Sequence, residues 1–319
     1  MATSGQYSFS ISRDDLIRDA MFNIGKIGEN DGPTPSEVQD VSRRLNMLVS
    51  QFRGTADFAP GIKEWTRRTG FLFLSNTTGQ YQVGPNAPAH WTNSYISTAL
   101  SFPASSGDGS VVVDSAVGMT IGDNIAILVN SDLFWTTISG IAVDIISLTD
   151  DLPGDASENA NVFTYTKNAQ FPIVIETVNL RDTNANNTDT LIPVLSRSQY
   201  DQLPSKVDLT NVSDPVAVMV EHQLGNAVLY TDCAKSLDVS KVLVVEYLGP
   251  TQVFVDPLDE PDYPMEWYLF LTWALAKQCA PMFSVMWEPI MEENYKEAAL
   301  VARNLYTDDT PFGFQSGVR

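Results

Sequence analysis

Asp262-Tyr263-Pro264-Met265-Glu266-Trp267-Tyr268-Leu269-Phe270-Leu271-Thr272-Trp273-Ala274-Leu275-Ala276-Lys277-Gln278-Cys279-Ala280-Pro281 is the stretch on which the organisation of this 319-residue chain turns. From Trp267 onward it is apolar on nearly every side (Trp267, Tyr268, Leu269, Phe270, Leu271, Trp273, Leu275). Lys277, Gln278 and Pro281 interrupt it after roughly ten residues, well short of the ~20 that span a bilayer. It therefore reads as a buried helix. A helix without a polar face must be covered all round, by its own domain or by another subunit.

Helices also open the chain. Ser12, with an acid three residues on at Asp15, forms a capping-box pattern. Leu16, Ile17, Ala20, Met21 and Ile24 follow at helical spacing, and Gly25 and Gly28 end the run. Thr34-Pro35-Ser36-Glu37 is a stronger start: a Thr cap, Pro at the first helical position and an acid at the third. The stripe Val38, Val41, Leu45, Leu48 and Phe52 then predicts a second helix with one buried face. Before them, Tyr7, Phe9 and Ile11 alternate as a short strand would. Near the C-terminus, Glu288-Pro289 starts a last helix whose expected inner stripe is Ile290, Asn294, Ala298, Val301 and Leu305. An exposed i,i+4 pair, Glu292 and Lys296, lies outside that stripe.

Between the helical ends the apolar period falls towards 2. Phe71–Leu74 and Gln80–Val83 flank the turn-rich Asn76-Thr77-Thr78-Gly79 and read as a β-hairpin. Residues 92–165 hold short strands at regular spacing, separated by Gly122-Asp123, Asn130-Ser131-Asp132 and Pro153-Gly154-Asp155. Further strands are expected at 173–180, 190–194, 216–221, 227–230 and 242–247, and one helical turn from Ser196 that stops at Pro204. The fold class read from this order is α+β: a body of N- and C-terminal helices and β-strands (1–91 and 166–306), an inserted antiparallel β-subdomain (92–165) and an extended tail (307–319). The tail lacks a helical stripe yet holds Pro311, Phe312, Gly313, Phe314, Gly317 and Arg319.

Composition narrows the function. Asp and Glu number 39 against 19 Lys and Arg, a net charge of −20. Wrapping nucleic acid needs clustered cations, and anionic membrane surfaces ask for the same. The N-terminus lacks the basic-then-apolar layout of a signal peptide, and Cys233 and Cys279, with no CxxC, read as reduced buried thiols. His90 and His222 are the two histidines, and neither sits in a metal or nucleophile motif; no Walker loop or dinucleotide fingerprint occurs. Asp150, Asp151, Asp155 and Glu158 cluster, but not with the spacing of an EF-hand loop, and read as a solvated hairpin tip. The expectation is a protein that is not an enzyme, with no cofactor and no metal.

The element order, with three local stretches, resembles the head-to-tail adaptors of short-tailed bacteriophages, the packaged-DNA stabilisation or tail-tubular A type. The stretches are Ser12-Arg13-Asp14-Asp15-Leu16-Ile17, Leu195-Ser196-Arg197-Ser198-Gln199-Tyr200 with Leu203-Pro204, and the Asp262–Pro281 block. Residues from Gly122-Asp123 to Trp135-Thr136-Thr137 are similar to a β-insertion of longer adaptors. The resemblance implies a self-assembled ring, commonly dodecameric, that docks on the portal protein after packaging, retains the genome and joins the tail nozzle or tail tube. Such a protein is made in the host cytoplasm and ends in the virion at the head-tail junction. DNA passes through its lumen without specific binding, which an anionic wall favours. The resemblance places Pro311, Phe312, Phe314 and Arg319 at the portal and Trp267, Phe270 and Trp273 in the ring wall. It gives the insertion to a tail fibre or spike protein as a further partner. Two alternatives stand beside it: a glycan-binding tail protein using Trp91 and Trp135, and a peptidoglycan hydrolase, for which no catalytic residues can be assigned.

Overall fold

In the computed structural model of the chain, residues 9–52, 64–184, 187–204 and 210–304 are described. The chain divides into two compact units, residues 1–66 with 251–319, and residues 67–250. The described helices are α1 (Arg13–Asn23), α2 (Pro35–Gln51), α3 (Arg197–Asp201), α4 (Tyr268–Cys279) and α5 (Pro289–Asn304). All but α3 belong to the first unit.

The first unit is built around α4, which packs against α1, α2 and α5. Each N-terminal helix starts where the caps require. Ser12 Oγ accepts from the Asp15 amide while the Asp15 carboxylate accepts from the Ser12 amide, and Thr34 and Glu37 repeat the exchange. These reciprocal bonds satisfy amides that the first helical turn leaves unpaired. The α1 face Leu16, Ile17, Ala20, Met21 and Ile24 is buried, as are Val41, Leu45, Leu48 and Phe52 beside α2. Against them lie Trp267, Phe270, Leu271 and Leu275. The rings interlock: Phe52 stands 5.1 Å from Phe270, Trp65 4.7 Å from Trp267, and Tyr295 5.8 Å from Phe270.

Three expectations are corrected here. Trp267 and Phe270 are wholly buried within their own unit, so they do not offer a ring-wall surface. On an all-apolar helix the largest rings are the ones the same unit covers first. Trp273 is half-buried, 6.4 Å from Trp287, and the exposed apolar residue of this helix is Leu269, at 61%. The inner stripe of α5 is also rotated: Ala298 and Ala302 are buried, while Ile290 and Val301 are exposed. Two alanines let α5 approach closely, and Tyr295 follows them onto Phe270. Finally, of the short strand expected over residues 6–11, Tyr7 lies outside the described residues and residues 9–12 run into α1 without strand pairing.

Glu292 is more than a solvated surface acid. It accepts from Lys277 Nζ at 2.7 Å and from Trp287 Nε1 at 2.8 Å, and Lys277 stands 4.2 Å from the Tyr295 ring centre. The Lys277 hydrogen bond, first, holds its carboxyl below the usual range.

The second unit is almost entirely β. Its strands are β1 (Arg67–Phe73), β2 (Gln80–Val83), β3 (Trp91–Thr92), β4 (Ile96–Ala99), β5 (Ser110–Val112), β6 (Asn124–Val129), β7 (Asp132–Ala142), β8 (Ile145–Leu148) and β9 (Asn161–Tyr165). Then come β10 (Val174–Asp182), β11 (Thr188–Ile192), β12 (Val194–Leu195), β13 (Val212–Ser213), β14 (Val218–Gln223), β15 (Asn226–Thr231), β16 (Lys235–Ser236) and β17 (Val242–Leu248). One sheet runs β11-β10-β17-β1-β3, a second β12-β14-β15-β2, and β13 pairs with β16. Leu72, Tyr81, Val178, Val218, Leu229 and Val245, from both larger sheets, share one core.

Residues 96–165 supply a third sheet, in the order β4-β9-β6-β7-β8-β5. Leu100 pairs with Val113, and the Ser101 amide donates to the Val112 carbonyl at 3.0 Å, so the first and last strands of this sheet meet. Closure removes the unpaired edges that would otherwise invite aggregation. Ile125, Ile127, Ile138, Ile146, Leu148 and Val162 fill the interior. The opposite face is not solvated throughout: Ala126, Leu133, Phe163 and Tyr165 pack on Phe73, Val239 and Val242.

The expected β1–β2 hairpin does not form. β1 pairs with β17 and β3, whereas β2 pairs with β15 in the other sheet. Each strand gains more burial from a distant partner than from its neighbour in sequence. The link between them is therefore free to be shaped by side chains, and it forms one wall of a cavity.

Candidate functional site

The link is residues 74–79, and bonds other than a ladder fix its path. The buried Tyr81 hydroxyl accepts from the Ser75 amide at 3.0 Å and donates to the Thr78 carbonyl at 2.8 Å. Ser75 Oγ and Thr77 Oγ1 lie 2.7 Å apart, and Thr78 Oγ1 accepts from the Gln80 amide at 3.1 Å. Gly79 lies so close to β15 that an added Cβ would stand 2.1 Å from the Cys233 carbonyl oxygen. Across the cavity, the β6–β7 turn uses Asn130 and Ser131, both with positive φ (49° and 71°), as a two-residue hairpin of right-handed twist demands. Asn76 ties the two loops together: its Nδ2 donates to the Ser131 carbonyl at 3.1 Å, and its amide to Asp132 Oδ1 at 3.3 Å.

Between these loops is a cavity of about 440 Å³. Phe73, Leu74 and Trp135 give it an apolar wall, and Gln82, His90 and Asp132 bring polar groups to it. The volume lies in the range of small-molecule pockets. Neither Lys nor Arg lines it.

His90 is held by a chain of bonds that fixes its tautomer. Asn168 Nδ2 donates to the Ala87 carbonyl at 3.0 Å, which leaves Asn168 Oδ1 to accept from the Tyr165 hydroxyl at 3.0 Å. Tyr165 has one proton and spends it there. The 2.8 Å contact between Tyr165 and His90 is therefore donated by Nδ1–H, and Nε2 carries the lone pair on the far side of the ring. The imidazole stacks on Trp135 at 3.6 Å with the planes 6° apart. Burial against this indole disfavours the cation and pushes the His90 pKa down to about 4.

That shift has a signed consequence. Between pH ~6.5 and about 4 the unfolded chain binds a proton at this residue that the folded chain does not, so stability falls as pH falls through that window. The loss is expected to reach roughly 3 kcal/mol by pH 4. Urea midpoints for the wild type and His90→Phe, measured from pH 7 to 4.5, check it. The wild type should decline and the variant should stay nearly flat over that range.

The other candidates scatter. Pro311, Phe312, Phe314 and Arg319 lie outside the described residues. Trp91 and Trp135, paired above as a glycan surface, part company. Trp91 is wholly buried, donates to the Gln170 carbonyl at 2.9 Å, and packs so tightly over β1 that a Cβ on Gly70 would stand 2.0 Å from its ring. Trp135 alone reaches the cavity. His222 is exposed near the end of β14. Asp150 accepts from Thr136 Oγ1 at 2.9 Å and Asp155 from the Ser106 amide at 2.9 Å, so each ties its loop to another segment of the sheet. Among the described residues no group of three or more His, Cys, Asp or Glu is placed to hold a metal ion. Cys233 and Cys279 are both free and buried. Among the described residues no helix is long and apolar enough to cross a membrane.

Sequence reasoning missed the cavity because its walls come from separate segments, residues 73–90 and 132–135, which meet where His90 stacks on Trp135. The available signal was strand alternation. With Trp91 facing the core, its neighbour His90 had to face the other way.

No protein-family model matches the chain, and no curated protein does. Among solved structures, the tailspike gp61 of Pseudomonas phage phi297 is similar at 8% identity and a TM-score of 0.20, over 22% of this chain. The chain spans 14% of that tailspike's length. VP17, a capsid protein of bacteriophage P23-77, is similar at 11% identity and a TM-score of 0.12, over 60% of this chain and 77% of VP17. At these TM-scores neither likeness amounts to a common fold.

Proposed function

We propose that the protein is a structural component of a phage virion, a head-to-tail adaptor that assembles as a ring on the portal after DNA packaging and joins it to the tail. One observation carries the reading: helices from both ends of the chain form a single unit around the Trp-rich helix, with the entire β-rich middle inserted between residues 66 and 251 as a second unit. A helical unit for the ring and a β unit for the next tail component are what an adaptor needs, and the local resemblances fall on both. The net charge of −20 supports a channel that lets duplex DNA slide past without holding it.

Within this reading the ring-wall contacts move from Trp267 and Phe270 to the exposed side of α4, where Leu269 and the half-buried Trp273 remain accessible. The portal contact stays with Phe312, Phe314 and their neighbours in the tail. The test is to mix the protein with portal rings from the same phage and view them by negative-stain electron microscopy. An added ring on the portal is the expected result, lost when residues 308–319 are removed. Truncated protein that docks as well as the full chain would overturn the role of the tail. Full-length protein that leaves every portal bare would overturn the adaptor reading.

A further inference from the structure

The cavity between residues 74–79 and the β6–β7 turn is not among the ring-wall and portal contacts proposed above, and it is built as a binding site. Its loops are strapped to each other through Asn76, and its wall is ordered through the Tyr165–Asn168 chain. Three of the polar groups at its lining, on Asp132, Gln82 and His90, have no hydrogen-bond partner among the described residues. Asp132 uses Oδ1 for two amides, its own neighbour Leu133 and Asn76, and leaves Oδ2 open. Gln82 lends its backbone carbonyl to the Ala89 amide, while its side-chain amide is uncommitted. His90 spends Nδ1–H on Tyr165 and keeps the Nε2 lone pair.

We propose that this cavity binds one neutral hexopyranose, free or as the terminal residue of a glycan. Asp132 Oδ2 and His90 Nε2 are acceptors for sugar hydroxyl protons, and the Gln82 amide both donates and accepts. The C–H face of the ring packs on Phe73, Leu74 and Trp135, the usual pairing of apolar wall and few polar groups. The lining argues against the other small-ligand classes. An anion such as phosphate would meet a carboxylate and no cation. A purely apolar ligand would bury Asp132 without a partner. A divalent cation would find a single carboxylate.

The test uses the full chain and four methyl glycosides, of glucose, galactose, mannose and N-acetylglucosamine, each at several millimolar in saturation-transfer difference NMR. At least one should receive saturation, and its signal should fall at least tenfold in Gln82→Ala and in Asp132→Asn. Leu300→Gln, exposed on the other unit, should leave it unchanged. Inorganic phosphate at the same concentration should not compete. Circular dichroism of each variant confirms that it is folded, and Asp132→Asn keeps an oxygen for the two amides that Asp132 serves. An oligosaccharide ending in the same sugar, bound with the affinity of the methyl glycoside, shows that the terminal residue suffices; binding of the monosaccharide alone points to the free sugar. Absence of transfer to all four glycosides overturns the proposal. So does transfer that survives both cavity variants, or that phosphate abolishes. None of these outcomes bears on portal docking, so the two readings fail separately.

Discussion

Trp267→Ala should destabilise the helical unit by about 3–5 kcal/mol, the largest effect expected of any single truncation in this chain. The indole is wholly buried and touches four rings, Phe52, Trp65, Tyr263 and Phe270. These come from segments on both sides of the β insertion, so the cavity left by alanine cannot be closed by moving one helix. Trp267→Phe should cost far less, because the indole N–H finds no partner among the described residues and its removal forfeits no hydrogen bond. Urea denaturation followed by far-ultraviolet circular dichroism separates the two. Equal losses for Ala and Phe would show that the N–H, rather than ring volume, carries the stability.

Gly79→Ala is the second large effect, and it acts by collision rather than by loss. A Cβ at this position would stand 2.1 Å from a main-chain oxygen of Cys233 and 2.7 Å from Thr231 Oγ1. Thr231 also donates to the Gly79 carbonyl through both its amide and its hydroxyl, at 2.9 and 3.1 Å. Relief therefore requires β15 or the 74–79 link to shift and those bonds to break. A destabilisation of about 3 kcal/mol or more is expected, at the upper end for overpacking. The same shift would widen the cavity, so glycoside binding should vanish along with thermal stability. Thermal unfolding that matches the wild type would mean that the link sits further from β15 than described.

What the residues disclosed in advance, and what they did not, follows from the range of the forces involved. The caps at Ser12 and Thr34 are legible because a capping box closes within three residues, and both form as expected; Ser196 adds a third box, with Gln199, where only a helical turn is expected. The buried faces of α1 and α2 were legible because a stripe of five apolar residues has a single solution. The stripe of α5 was misphased because Ala302 looks neutral on paper, and only the closeness of α4 makes it an inner residue. The β1–β2 hairpin was misread for a related reason. Local turn chemistry at Asn76–Gly79 is real, yet it is outweighed by pairings with β17 and β15, far along the chain, which no local pattern records. In the sequence His90 is a histidine outside any motif and Asp132 a turn residue. Their meeting on one cavity depends on how two sheets are joined, and that information lies in no short window of sequence.

The helical unit also sets a schedule for the ribosome. Its first two helices leave the exit tunnel early, while the helix that covers them is encoded roughly 200 residues later, which at ~5–20 residues per second is a wait of roughly 10–40 s. During that interval Leu16, Ile17, Met21, Val41 and Leu45 have no partner to hide against, and the β unit is made and can close on itself first. The nascent chain thus carries two helices whose apolar faces have no cover until α4 emerges. A stalled or prematurely terminated message would release that intermediate with the apolar faces of both helices still waiting for their cover.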